Sequence, residues 1–216
     1  MKASLIAGCV LTLSTLASGC VVVGTDVPPP PPEGNPPTAP SYATIDQFAS
    51  RASASSEGVA GSSDFSALQA TGAPDVNVCA DSPQAWSPAV ANPMPGVSAD
   101  GQTIDDYLDV GFDQYSWISQ VKIYESYAPG AIVAVDLVAS DNSAAPLTVY
   151  ENFTGDGPAP CPSAFVIDIP GGTPAQYDRV AIYFDDNLVG DFNRDGSWND
   201  DFPEVDAVEV VGEIAY

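Results

Sequence analysis

From residue 104 to the C-terminus the chain alternates apolar and polar residues with period two, and this alternation leaves little besides a β protein open to it. Leu108, Val110 and Phe112 share one face of such a stretch, Val121, Ile123 and Glu125 a second, and Val133, Val135 and Leu137 a third. Further runs follow at Leu147 to Tyr150, Phe165 to Ile169, Val180 to Phe184 and Val205 to Ile214. Turn-forming clusters separate them: Ala128-Pro129-Gly130, Ser140 to Ser143, Gly155 to Pro158 and Pro170-Gly171-Gly172. The pattern predicts an all-β sandwich of about eight strands. Residues 44 to 100 are poorer in strand signals and predict long ordered loops with a short helix near Phe65 to Ala70. No internal repeat is apparent.

The N-terminus reads as an export signal. Lys2 precedes an apolar run from Leu5 to Leu16, then Ala17-Ser18-Gly19-Cys20. Small residues before a cysteine resemble the lipobox of bacterial lipoproteins, which makes Cys20 the expected lipidation site. An ordinary cleaved signal is the alternative; Cys9 has too short an apolar region before it. The run falls short of a membrane-spanning helix. Pro28 to Pro32, Pro36, Pro37 and Pro40 then predict a stiff linker, reaching up to roughly 60 Å at about 3.1 Å per residue. The expected organisation is a lipoprotein signal at 1–19, a lipidated cysteine and linker at 20–40, and one domain at 41–216. The expected location is the bacterial outer membrane through the N-terminal lipid, or the extracellular space if Cys20 carries none.

Charge and missing residue types narrow the chemistry. Five Lys and Arg face 29 Asp and Glu, a formal charge of −24, so phosphate backbones and anionic lipid surfaces are repelled and nucleic acid is not an expected partner. The chain contains no histidine. That removes Ser-His-Asp and Cys-His arrangements, His-ligated zinc and any HExxH helix. Carboxylate chemistry remains, but so many acids always offer pairs, and no catalytic residue is assigned. Cys79 and Cys161 are expected to pair in an oxidising compartment, with two free buried thiols as the alternative.

Strand phase singles out Glu125 and Asp206, each at the end of an apolar stripe. A carboxylate there needs partners. It accepts backbone N–H groups at a turn, or it lines a ligand pocket where strand ends meet. Trp86, Trp117, Trp198, Tyr127 and Tyr183 offer aromatic faces of the kind that stack on sugar rings; Trp117 fits the core better, and Trp198 is the better candidate for stacking. The candidate ligand-binding set is Glu125, Tyr127, Trp198 and Asp206.

The stretch DFNRDGSWNDD, residues 191–201, has the spacing of a calcium loop. Asp191, Asn193, Asp195 and Asn199 fill positions 1, 3, 5 and 9 of an EF-hand loop, Gly196 fills position 6, and the Ser197 carbonyl fills position 7. Position 12 is Phe202, so the bidentate acid is missing and Asp201 or Asp200 would close the shell. The expectation is a structural Ca2+ held by Asp191, Asn193, Asp195, Ser197, Asn199 and Asp201, against a flexible acidic hairpin tip.

Three segments carry a family resemblance. SALQATGAPD at 66–75 resembles the opening of galactose-binding-like domains. IYESYAPGAIV at 123–133 and PEVDAVEVVG at 203–212 resemble segments of the pappalysin scarf domain and of related bacterial discoidin-like modules. The resemblance implies a galactose-binding-like jelly-roll sandwich used for attachment or recognition, with no chemistry of its own. Against that family, Asp191 to Gly196 reads as a short insertion at one end of the sandwich. The implied partner is a glycan or a cell-envelope protein. Two other readings stay open: a purely structural envelope lipoprotein, and a carboxylate-based glycoside hydrolase.

Overall fold

The computed structural model describes residues 39–58, 61–89, 96–97, 103–104, 106–154, 159–185, 188 and 202–216. One compact unit runs from Pro40 to Tyr216. Its strands are β1 (Tyr42–Phe48), β2 (Arg51–Ala54), β3 (Gly96–Val97), β4 (Thr103–Ile104), β5 (Asp106–Tyr127), β6 (Ile132–Val138), β7 (Leu147–Glu151), β8 (Ser163–Asp168), β9 (Tyr177–Phe184) and β10 (Glu204–Ala215). A 3-10 helix spans Ala67–Ala70, inside the stretch where a short helix is expected.

The fold is an antiparallel β-sandwich of the jelly-roll class, as the sequence predicts. One layer has the order β1-β10-β5-β8; the other has the order β2-β5-β9-β6-β7. The strand common to both is β5. Leu108 to Phe112 and Val121 to Glu125 look like separate strands but belong to one strand of 22 residues. Its first half pairs with β2 and β9 and its second half with β10 and β8. The register breaks between Gly111 and Ser116, where Asp113 and Gln114 are exposed. Such an irregularity lets a strand bend from one layer into the other, so the polar residues between the two apolar runs form a corner within a strand.

Residues 44 to 54, expected to be loop, are largely strand. They form most of β1 and all of β2, whose short alternations carry few β-branched residues. The described residues between 55 and 89 do form long loops around the 3-10 helix.

Alternation places the core. Leu108, Val110, Phe112, Ile118, Val121 and Ile123 of β5 pack with Val135 and Leu137 of β6, Val180, Ile182 and Phe184 of β9, and Val208 and Val210 of β10. Each such side chain contributes about 1.5–3 kcal/mol on burial. Gly212 permits a close approach of β10 to β5. A Cβ there would lie 2.5 Å from the Trp117 carbonyl oxygen, a backbone atom that cannot swing aside. Trp117 itself is half-buried at the strand edge, with its ring edge-on to Tyr42 at 5.6 Å, rather than in the core as its spacing suggests.

Candidate functional site

The candidate site lies where the loop after the 3-10 helix crosses the start of β10 and the end of β5. That loop is held from several sides. Asp206 Oδ2 accepts the amides of Asp75 and Val76 at 2.9 and 3.0 Å. The Glu204 carboxylate accepts the Ser82 amide at 3.0 and 3.2 Å and the Ser126 hydroxyl at 3.1 Å. Trp86 and Val205 exchange backbone hydrogen bonds of 2.8 and 2.9 Å. A disulfide joins Cys79 to Cys161, with Cα atoms 5.0 Å apart, so the expected pairing is present.

Between this loop, the end of β5 and the start of β8 lies a cleft of about 270 Å³. Pro74, Val76 and Asn77 form one wall, Pro162, Ser163 and Ala164 another, and Tyr124, Glu125, Ser126 and Asp206 lie between them. Glu125 and Asp206, nearly unexposed at 3% and 2%, both line this cleft, Asp206 at a register shift of β10 against β5 between Val205 and Ala207. Glu125 Oε1 accepts the Gly130 amide at 3.1 Å across the corner where Ala128 and Gly130 take positive φ. Both carboxylates thus serve backbone groups as well as the cleft.

The other named residues fall elsewhere. Tyr127 is half-buried, opposite Glu204 in the register, and does not line the cleft. Trp86 is wholly buried against Phe184, at a ring separation of 5.1 Å, so it offers no stacking face. Tyr183 lies half-buried on the second layer. Trp198, Cys20 and the calcium-loop residues Asp191, Asn193, Asp195, Ser197, Asn199 and Asp201 lie outside the described residues. Among the described residues no three acidic or cysteine side chains converge as a metal-ligand set.

Sequence reasoning missed Glu204, although it continues the Asp206, Val208, Val210 stripe. It also missed Tyr124, which donates to Glu209 Oε2 at 2.6 Å and projects from β5 on the opposite phase to Glu125.

Buried acids crowd this end. Burial pushes the Glu204 carboxyl up to about 8, helped by a hydrogen bond with Asp81 and opposed by the Ser82 amide and the Ser126 hydroxyl. Burial also pushes Asp206 up to about 6; the Val76 amide opposes this and the Asp75 carboxylate adds to it. Both values exceed the ordinary 4.5 and 3.8. The folded state then holds more protons than the unfolded state between about pH 4 and pH 8, so stability falls as pH rises through that window. The slope is about 1.4 kcal/mol per pH unit for each group while it titrates. Urea unfolding is expected to give lower stability near pH 8 than near pH 5, and Glu204→Gln is expected to flatten that dependence. A wild-type profile level over this range contradicts the assignment.

The chain matches known proteins at the level of a family model. The model described as Pappalysin-1, SD scarf domain, C-terminal, matches residues 40–215. No curated protein sequence matches the chain. Among solved structures it is similar to chitosan-binding module 1 of a chitosanase/glucanase from Paenibacillus sp. IK-5, at 16% identity over 74% of this chain and 92% of that one, with a TM-score of 0.44. It is also similar to the family 32 carbohydrate-binding module of C. perfringens NanJ in complex with galactose, at 13% identity over 77% and 99%, TM-score 0.46. Discoidin II from Dictyostelium discoideum matches at 9% identity over 75% and 55% or less of the respective chains, the wild-type structure covering 54% with a TM-score of 0.38.

Proposed function

Because the chain belongs to the family of the pappalysin-1 SD scarf domain, C-terminal part, over residues 40–215, we propose that it is a non-catalytic recognition module that binds a saccharide in the cleft beside β5 and β10. The observation that carries this reading is the composition of the cleft. Two prolines, Val76 and Ala164 offer apolar surface beside two serines, an amide and two carboxylates along one concavity. Apolar faces beside hydrogen-bonding groups are what a sugar ring requires, since it presents C–H faces and hydroxyl edges together.

A hydrolytic role would need the carboxyl groups free to exchange protons with a substrate. Here Asp206 holds two backbone amides and Glu125 holds one, and moving either loosens the wall of the cleft. In this reading the leader and Cys20 place the module on the outer membrane, the proline-rich segment carries it outward, and calcium at Asp191 to Asp201 steadies an adjoining loop. These three elements rest on sequence alone.

Binding to immobilised glycans and to whole cell envelopes, with calcium and with chelator, tests the proposal. Ala164 is exposed and lines the cleft, so Ala164→Trp fills the cleft without disturbing the core. The variant is expected to lose retention at least about tenfold while melting as the wild type does. Retention equal to wild type, or no saccharide retained by either protein, overturns the assignment.

A further inference from the structure

A second concavity, of about 180 Å³, opens on the five-stranded layer, lined by Arg51, Ala52, Ser53, Asp109, Gly111 and Arg179. It shares no residue with the cleft beside β10. Two of the three basic side chains among the described residues meet here, in a chain whose formal charge is −24.

Each guanidinium is fixed from behind. Arg51 Nη2 donates to Asp178 Oδ2 at 2.8 Å, and Asp178 is itself held by the Ser140 amide at 2.9 Å. Arg179 donates from Nε to Asp109 Oδ1 at 2.9 Å and from Nη2 to Oδ2, a two-point pair. The acids recede and the bases protrude: side-chain exposure is 53% for Arg51 against 3% for Asp178, and 34% for Arg179 against 14% for Asp109. Solvent therefore meets cationic forks with N–H donors to spare. Gly111 completes the floor, because a Cβ there would overlap the Arg51 side chain lying across it.

We propose that this groove is a second binding site, taking the carboxylate of an acidic saccharide between Arg51 and Arg179, with the sugar hydroxyls on Ser53 and Asp109. A planar fork pairs with a carboxylate at two points, which a point charge does not. The hydroxyls matter because within about 8 Å, the screening length at physiological salt, an anion feels the surrounding carboxylates as well as the two arginines. A simple carboxylate gains too little on arrival, and an acidic peptide brings more repulsion with each residue. A sugar acid brings one charge with several hydroxyl partners.

The 15N-labelled chain titrated with glucuronic acid, glucose, acetate and oligoglutamate tests this. Glucuronate is expected to shift the amides of residues 51–53, 109–111 and 179, while the other three leave them unmoved. Arg51→Ala is expected to weaken glucuronate at least about tenfold. Since that variant also frees β2, Arg51→Lys is the cleaner measurement: the ion pair and melting temperature persist, but the fork and most of the affinity are lost. Ala164→Trp leaves this binding intact, so the two sites fail separately. No glucuronate binding, shifts confined to other residues, indifference to Arg51→Lys, loss in Ala164→Trp, or oligoglutamate binding as well as glucuronate would each overturn the proposal.

Discussion

Replacing Cys79 and Cys161 with serine is expected to destabilise the fold by about 4 kcal/mol and to loosen one wall of the β10 cleft. The crosslink spans 82 residues, so its loss releases a long loop in the unfolded chain. On the chain-entropy account the cost grows with the logarithm of that length. The native state is affected as well. Cys79 lies between Asn77 and Ser82, in the loop that Asp206 and Glu204 hold through its amides, and Cys161 precedes Pro162 and Ser163 on the opposite wall. Urea unfolding of the double variant, and of the wild type with reductant, should show the same loss with a steeper denaturant dependence, because the unfolded chain exposes more surface. A loss below about 1 kcal/mol means that the carboxylate–amide hydrogen bonds hold the loop unaided.

Trp86→Ala is expected to cost about 3–5 kcal/mol. The side chain is fully buried, packs against Phe184, and donates from Nε1 to the Ser56 carbonyl at 3.1 Å. Alanine leaves a cavity and an acceptor without its donor. Trp86→Phe keeps most of the ring contact and loses the hydrogen bond, so a cost of about 1–2 kcal/mol is expected. Because single domains have only about 5–15 kcal/mol of stability, the alanine variant should unfold far below the wild-type melting temperature. Equal costs for the two variants would place the energy of this position in the hydrogen bond rather than the packing.

What could be read from the sequence divides along physical lines. Period-two runs reveal strands and their inward faces, and these gave the all-β class, the core of β6, β9 and β10, and the burial of Glu125 and Asp206. The same local signal cannot tell a turn from a corner. Asp113 to Ser116 break the alternation, and the continuity of β5 appears only when its partners β9 and β10 are in place. Arg51 to Ala54 form a strand with no strong β-formers, because β2 is held by pairing with β5. The cleft follows the same rule. Alternation marks Glu125 and Asp206 as buried, but Asp206 lies at a register shift, Asp75 and Val76 reach it across more than a hundred residues of chain, and Pro162 and Ser163 arrive beside the disulfide. Trp86, one of the aromatic residues that could have stacked on a sugar, is inaccessible for the same reason. It lies in a loop rich in Ser and Pro, and backbone pairing with Val205 draws its ring into the core.

The most direct measurement is amide chemical-shift mapping on the 15N-labelled chain with whichever saccharide the immobilised-glycan screen retains. Saccharide recognition in the β10 cleft predicts that the largest shifts fall on Val76, Asn77, Glu125, Ser126, Ser163 and Ala164 and vanish in Ala164→Trp. Shifts that leave these residues unmoved, or that persist unchanged in Ala164→Trp, contradict it.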